Sequence, residues 1–158
     1  MIFARAVCYC GALSHGRLQV EYTAEALVRL NDNPLYENLG IRVALACDGH
    51  VRASLEPTAR ACWPLPEQPH GGVLFTVIDT SMAFAAMTVG DPGSDCATVD
   101  CSIQYPAPAR HGPFSCDARV IRRTGRTVFV RAEIVDARGV PVALGQGTFR
   151  LIGAKTGG

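Results

Sequence analysis

Residues 69–87 read PHGGVLFTVIDTSMAFAAM, an apolar run that holds one carboxylate, Asp79, and begins on His70-Gly71-Gly72. Burying an unpaired carboxylate is costly, so its presence needs a reason. Asp79 could pair with a distant arginine or cap a neighbouring segment. In a dry pocket it could instead act as a general base or a nucleophile. The glycines also read two ways. They permit a tight approach to a helix, or they leave backbone N–H groups bare at a helix N-terminus, where the dipole suits a developing oxyanion. Two glycines lower helix propensity, which favours the second reading. Gly71 and Asp79 are eight residues apart, or about 12 Å along one helix. A single carbonyl cannot meet both. Two copies with these helices antiparallel would bring the helix start of one to the Asp of the other, and such a site requires at least a dimer.

The elements that must position these groups are legible in outline. Residues 1–40 are expected to form a helical N-terminal segment. TAEALVRLNDNP (23–34) has apolar residues at helical spacing, with Thr23 as N-cap, and stops at Asn33-Pro34. NPLYENLG is a short helical turn ending on Gly40. IRVALACDGHVRASLEP alternates on both sides of Asp48-Gly49, which predicts a hairpin. Residues 57–69 carry four prolines and predict an ordered loop. After the long helix come expected strands at 97–105, 114–123 and 127–136. A fourth, at 140–152, is loosened by Gly145 and Gly147. Residues 154–158 should fray. The order implies an α+β fold in one domain over 1–158: a curved antiparallel sheet wrapped around a central helix that is apolar on every side.

Composition narrows the partners. The chain has 158 residues, 48% hydrophobic, with a formal net charge of +1. No charge excess points to nucleic acid or to an anionic membrane. The seven cysteines, odd in number and scattered through apolar stretches, read as reduced thiols of a cytoplasmic protein. Only Cys8 and Cys10 lie close together, and no second close pair completes a zinc site. The apolar run in the first sixteen residues reads as too brief and too broken for a signal peptide. The 71–89 run is the one candidate membrane span, but Thr76, Asp79, Thr80 and Ser81 interrupt it, so it reads as a buried helix.

HGGVLFTVIDTSMAFAAM, then TVDCSIQYPAPA, then a strand ending GQGTFRLI, together resemble the hotdog-fold acyl-CoA thioesterases of the phenylacetic-acid-degradation type. The resemblance runs from about residue 41 to 152. Its specific part is the His-Gly-Gly start with an Asp seven positions after the second glycine. It implies that Gly71 N–H polarises the thioester carbonyl and that Asp79 of a partner subunit activates water or attacks directly. It also implies that Thr98 helps orient the water, and that no cofactor is needed beyond coenzyme A as part of the substrate. It implies a homodimer or a homotetramer built as a dimer of dimers. Family members often carry an Asn six residues before the His, where this chain has Pro64. Gln68 is the amide that could substitute, in a rebuilt loop.

The remaining candidates keep alternatives. His70 and Gly72 adjoin the substrate in this scheme, with His70 supporting the loop through hydrogen bonds rather than acting as a base. Trp63 is either a core plug or one wall of the acyl pocket. Arg122, Arg123 and Arg126 cluster at the Thr124-Gly125 turn and Arg110 sits in another loop. They are solvated surface charges or holders of the coenzyme A phosphates. Two rivals differ in chemistry. A dehydratase or hydratase of the same fold needs a base aimed at an α-carbon proton, commonly a His with an acidic partner, and Asp79 has no acidic companion in its helix. A non-catalytic acyl-thioester binding protein would keep the pocket without turnover.

Overall fold

The structure is a computed structural model and describes residues 7–14, 17–64 and 68–153, with residues 7–19 described as backbone alone. The expected frayed tail at 154–158 lies outside those residues. The elements run β1 (Val7–Ser14), β2 (Arg17–Tyr22), α1 (Ala24–Asn31), α2 (Pro34–Leu39), β3 (Ile41–Cys47), β4 (His50–Leu55), α3 (Gly71–Thr88), β5 (Asp95–Gln104), β6 (Phe114–Thr124), β7 (Thr127–Val135) and β8 (Pro141–Ile152). The strands form one eight-stranded antiparallel sheet in the order β1-β2-β3-β4-β6-β7-β8-β5. It curves around α3, which is the hotdog architecture.

One expectation is corrected. The first forty residues are not helical throughout, because β1 and β2 pair as a hairpin before α1. The signal was present in Leu18, Val20 and Tyr22, which alternate with polar residues. Cys8 and Cys10 lie on β1, in the part described only by its backbone.

The local rules explain the rest. Thr23 caps α1 by accepting the Ala26 N–H at 3.2 Å. Pro34 opens α2 with its φ pre-set, and Gly40 ends it in the left-handed region at φ 80°. Asp48 and Gly49 both take positive φ, 45° and 71°, as the two-residue hairpin turn between β3 and β4 requires. The proline loop contains a turn of 3-10 helix, Ala59–Ala61, and closes on a bridge between Cys62 and Pro69.

The core lies between α3 and the inner sheet face. Val77, Ile78, Met82 and Ala85 of α3 are fully buried against Leu55, Phe114, Val130, Ile134 and Phe149. By length and composition α3 could cross a membrane, yet its apolar surface is spent on this sheet. The two β8 glycines that loosen the strand pattern have a packing reason. A Cβ on Gly145 would lie 2.5 Å from Ile78 Cγ2, and one on Gly147 would lie 3.1 Å from Met82 Cε. The helix can sit this close only because β8 is bare beneath it.

The β7–β8 turn is held by Asp136, whose side chain is almost wholly buried. Its carboxylate accepts the Val140 and Arg138 N–H groups, each at 2.9 Å, and the Arg138 guanidinium at 3.2 Å. The Val140 N–H, and then Arg138, hold its pKa below the ordinary carboxylate value against the opposing effect of burial.

Gly145→Ala should destabilise the fold by about 1–3 kcal/mol. Combined with Ile78→Ala it should cost less than the sum of the two single changes, because the small residue vacates the clashing position. Urea unfolding of the four proteins checks this. Asp136 has a depressed folded-state pKa, so its contribution is present above the unfolded-state value and is lost as pH falls through the folded one. Asp136→Asn should therefore melt below the parent at pH 7, with the gap closing in acid, as pH falls below the ordinary aspartate range. Melting curves across pH would read it, and a gap independent of pH would overturn it.

Candidate active site

The sheet does not enclose α3 completely. Along one side Gly72, Phe75, Thr76, Asp79, Thr80, Ala83 and Met87 remain partly or fully exposed. These positions recur at helical spacing and mark one stripe. Beside the stripe runs β5, bonded among the described residues to β8 on one edge only, with Ala97, Thr98, Val99 and Asp100 exposed. Asp79 is therefore not sealed in an apolar interior, which corrects the expectation of a dry, unpartnered carboxylate. Within one chain it is half-exposed, and Thr98 donates its hydroxyl to Asp79 Oδ1 at 2.9 Å. The structure thus brings together two residues nineteen positions apart, one from the helix and one from the edge strand.

What surrounds the carboxylate is soft and reluctant to ionise. Burial, with the Asp95 and Asp79 charges beside it, pushes the Cys96 thiol up to about 12. Burial and the Asp79 charge push Cys101 up to about 11. Tyr36, buried on α2, is raised by burial and by Asp79, against a hydrogen bond with Thr80. The two thiols and the phenol beside Asp79 stay protonated at neutral pH. Neither thiol has the electropositive setting that makes a cysteine nucleophilic.

The helix start is built differently from a bare row of donors. His70 is the N-cap, and its Nδ1 accepts the Gly72 N–H at 2.9 Å. The His70 carbonyl accepts the Val73 N–H at 2.8 Å. Gly72 N–H is thereby committed, which corrects the expectation that both glycines offer free donors. Gly71 N–H donates to no described group, so it is the donor left at the positive end of the helix dipole. A Cβ on Gly71 would meet only the Tyr105 ring, at an ordinary 3.4 Å.

The other expected site residues are placed as follows. Trp63 is 51% exposed and its ring tilts against His70 with centroids 4.7 Å apart, so it is not a core plug. Gln68 is half-buried and its carbonyl accepts the Trp63 N–H at 2.9 Å. Pro64 stands exposed next to Trp63. Arg122 is exposed. Arg123 is not, because its guanidinium donates to the Val89 and Gly125 carbonyls and lies 3.7 Å from Asp91. It neutralises the C-terminal end of α3, a place where the dipole favours a cation, and it lies at the opposite end of the helix from Gly71. Arg126 Nε donates to the Leu151 carbonyl at 3.0 Å. Tyr105 was not among the expected site residues. Its hydroxyl donates to the Gly71 carbonyl at 2.8 Å, tying the end of β5 to the first turn of α3. No local pattern links positions 71 and 105, which meet only because β5 runs back past the helix start.

The fold places the chain among the hotdog proteins. Residues 70–143 match the thioesterase superfamily. Over 141 residues the chain is 33% identical to a putative esterase of Halobacterium salinarum, an alignment that spans 81% of this chain and 92% of that one. The PaaI protein from the phenylacetic acid degradation operon of Escherichia coli is 25% identical with a TM-score of 0.70, over 80% of this chain and 90% of the other. A thioesterase from Haemophilus influenzae shares the fold with a TM-score of 0.77 at 20% identity, over 85% and 93% of the two chains. The chain belongs to the thioesterase superfamily, a family of hydrolases.

The electrostatics around Asp79 can be read chemically. With its pKa near 11, Cys101 holds roughly one thiolate per thousand molecules at pH 8, so iodoacetamide should label it far more slowly than a free thiol. Asp79→Asn removes a charge that opposes the thiolate, and the labelling of Cys101 should then accelerate. Peptide mass spectrometry resolves it from the other cysteines. Labelling indifferent to the substitution would separate the two groups.

Proposed function

We propose that this chain hydrolyses acyl-CoA thioesters to a free acid and coenzyme A, in a site shared by two copies. The observation that carries the reading is the division of the machinery along one open stripe of α3. The free donor is at Gly71, and the carboxylate, hydrogen-bonded by Thr98, is at Asp79. At about 1.5 Å per residue the two groups of one helix lie about 12 Å apart, too far for one thioester. Antiparallel helices from two chains would set the Gly71 N–H of one beside the Asp79 of the other. The exposed edge of β5 supports such pairing, since an uncovered edge strand is a template for another chain.

In this scheme the thioester carbonyl accepts the Gly71 N–H and the oxyanion forms there, favoured by the helix dipole. A water held by Thr98 adds its oxygen to the carbonyl carbon and passes its proton to Asp79. The C–S bond then breaks, and the coenzyme A sulfur takes the proton from Asp79. In the variant of the scheme where Asp79 attacks directly, an anhydride forms first and water opens it. Tyr105 and the His70 cap hold the peptide planes of the first turn. Trp63, exposed beside His70, and Gln68 flank the acyl group where Pro64 has replaced the family amide. Arg122 and Arg110, both exposed, are the arginines this reading assigns to the phosphates, while Arg123 is engaged at the far end of the helix.

Release of free thiol from a panel of acyl-CoAs tests the reading. Asp79→Asn should lower kcat/KM by about a hundred- to ten-thousand-fold and leave the melting temperature near that of the parent. Gly71→Pro deletes the donor N–H yet puts proline at the first helical position, which tolerates it, and it too should be inactive. Equimolar subunits of the two variants should regain part of the activity, because a mixed pair holds one complete site. An Asp79→Asn protein that turns over at the parental rate would sink the assignment. A parent that binds acyl-CoA and releases no thiol is the binding protein instead.

A further inference from the structure

Gly71 carries the free N–H and is followed by a second glycine, so the donor sits on backbone of wide conformational freedom. Two glycines also weaken a helix end. A donor stabilises a developing oxyanion well only when it is aimed in advance. Something other than local propensity must therefore hold the first turn of α3.

Two peptide units meet at the Gly71 Cα. The 70–71 unit carries the donor, and its carbonyl accepts the Val73 N–H at 2.8 Å. The 71–72 unit is held at both ends. Its N–H donates to His70 Nδ1 at 2.9 Å, and its carbonyl accepts the Tyr105 hydroxyl at 2.8 Å. The bonds to Val73 and to the His70 ring close within the turn and move with it. Among the described residues, two hydrogen bonds tie the turn to the chain outside α3. One runs from the His70 N–H to the Ala61 carbonyl at 2.9 Å, in the proline loop. The other is that of Tyr105, and it comes from the sheet. β5 is paired with β8 from Asp95 to Gln104, so Tyr105 follows directly on the paired strand. Its ring lies 3.4 Å from where a Gly71 Cβ would stand and fills the space beside the bare Cα. Burial, and then Cys101, raise the Tyr105 phenol, so its hydroxyl remains a donor at neutral pH.

We infer that Tyr105 is a positioning residue for thioester hydrolysis. Its hydroxyl fixes the 71–72 peptide plane against the sheet and so aims the Gly71 N–H at the thioester oxygen before substrate arrives. The inference rests on the reaction proposed above. β5 then registers both halves of the machinery on α3, since Thr98 of the same strand meets Asp79 at 2.9 Å. The Tyr105 hydroxyl is spent on the peptide, so it acts on the reaction through Gly71. Without it the glycine pair samples more conformations, and the donor spends less time aimed. Substrate is still held by its other contacts. The deficit therefore falls on formation of the oxyanion, which lowers kcat rather than raising KM.

Tyr105→Phe keeps the ring and removes the hydroxyl. It should lower kcat by roughly tenfold, a fraction of the about hundred- to thousandfold that loss of an oxyanion donor costs. KM and the melting temperature should stay near those of the parent. Two unreactive ligands separate the aim of the donor from turnover. In the first, a ketone, a methylene replaces the thioester sulfur and the carbonyl remains. The second is an alkyl thioether of coenzyme A with the same chain length and no carbonyl. Calorimetry should show the parent binding the ketone more tightly. Tyr105→Phe should lose roughly three- to tenfold in ketone affinity and bind the thioether as the parent does. A parental kcat or a parental ketone affinity in Tyr105→Phe overturns the positioning role. So does a parent that does not distinguish the ligands, or a variant that loses the thioether by the same factor as the ketone. A parent that releases no thiol overturns the hydrolytic reading alone, and the two ligands still decide whether Tyr105 aims the Gly71 donor.

Discussion

The close approach of α3 to β8 is the constraint on which the rest of the molecule depends. Ile78 and Met82 reach the sheet at Gly145 and Gly147, where a Cβ would stand 2.5 and 3.1 Å from their side-chain atoms. Glycines in a strand interior cost conformational entropy and give up side-chain packing. Here they let an eighteen-residue helix settle into the sheet, and the buried apolar area far outweighs that cost. Once α3 is seated this deeply, the sheet must curl around it, and the helix loses its freedom to rotate.

Fixing the rotation of α3 decides which residues remain outside. Ile78 and Asp79 are consecutive, so anchoring Ile78 against β8 turns Asp79 toward the gap in the wrap, where Thr98 on β5 meets it at 2.9 Å. The same seating brings the helix start under Tyr105, whose hydroxyl holds the Gly71 carbonyl. At the other end Arg123 donates to the Val89 carbonyl. The helix is thus tied at its first turn, its middle and its last, each time by a residue from the strands that follow it. The polar groups at the gap are held by a framework whose energy comes from apolar contact.

The hydrogen bonds at the first turn also set how much of the helix end is available. A glycine pair suggests two open donors, but the His70 ring consumes one. The dipole field of the helix is therefore directed to a single N–H. In the proposed reaction, one acceptor atom, the thioester oxygen, is then satisfied at Gly71.

Much of this was readable in the residues. Thr23, Pro34 and Gly40 mark their helix boundaries because capping and φ restriction act over two or three positions, and Asp48-Gly49 marks its turn for the same reason. The alternation on β3, β4, β6 and β7 reflects one buried face and one exposed face. Asp79 and Gly71 stand out as a lone carboxylate and a bare helix start in an apolar run, whereas Thr98 stands out only through the family resemblance. The hairpin of β1 and β2 was passed over because its alternation is short and sits beside a stronger helical pattern. What only the tertiary structure decided were the relations between distant segments. They include the half-exposed state of Asp79, the commitment of Gly72 and Arg123 to internal bonds, and the reach of Tyr105. Local rules depend on neighbours along the chain, whereas these depend on sheet register and on the depth at which α3 packs. Register and depth emerge only when every strand is in place.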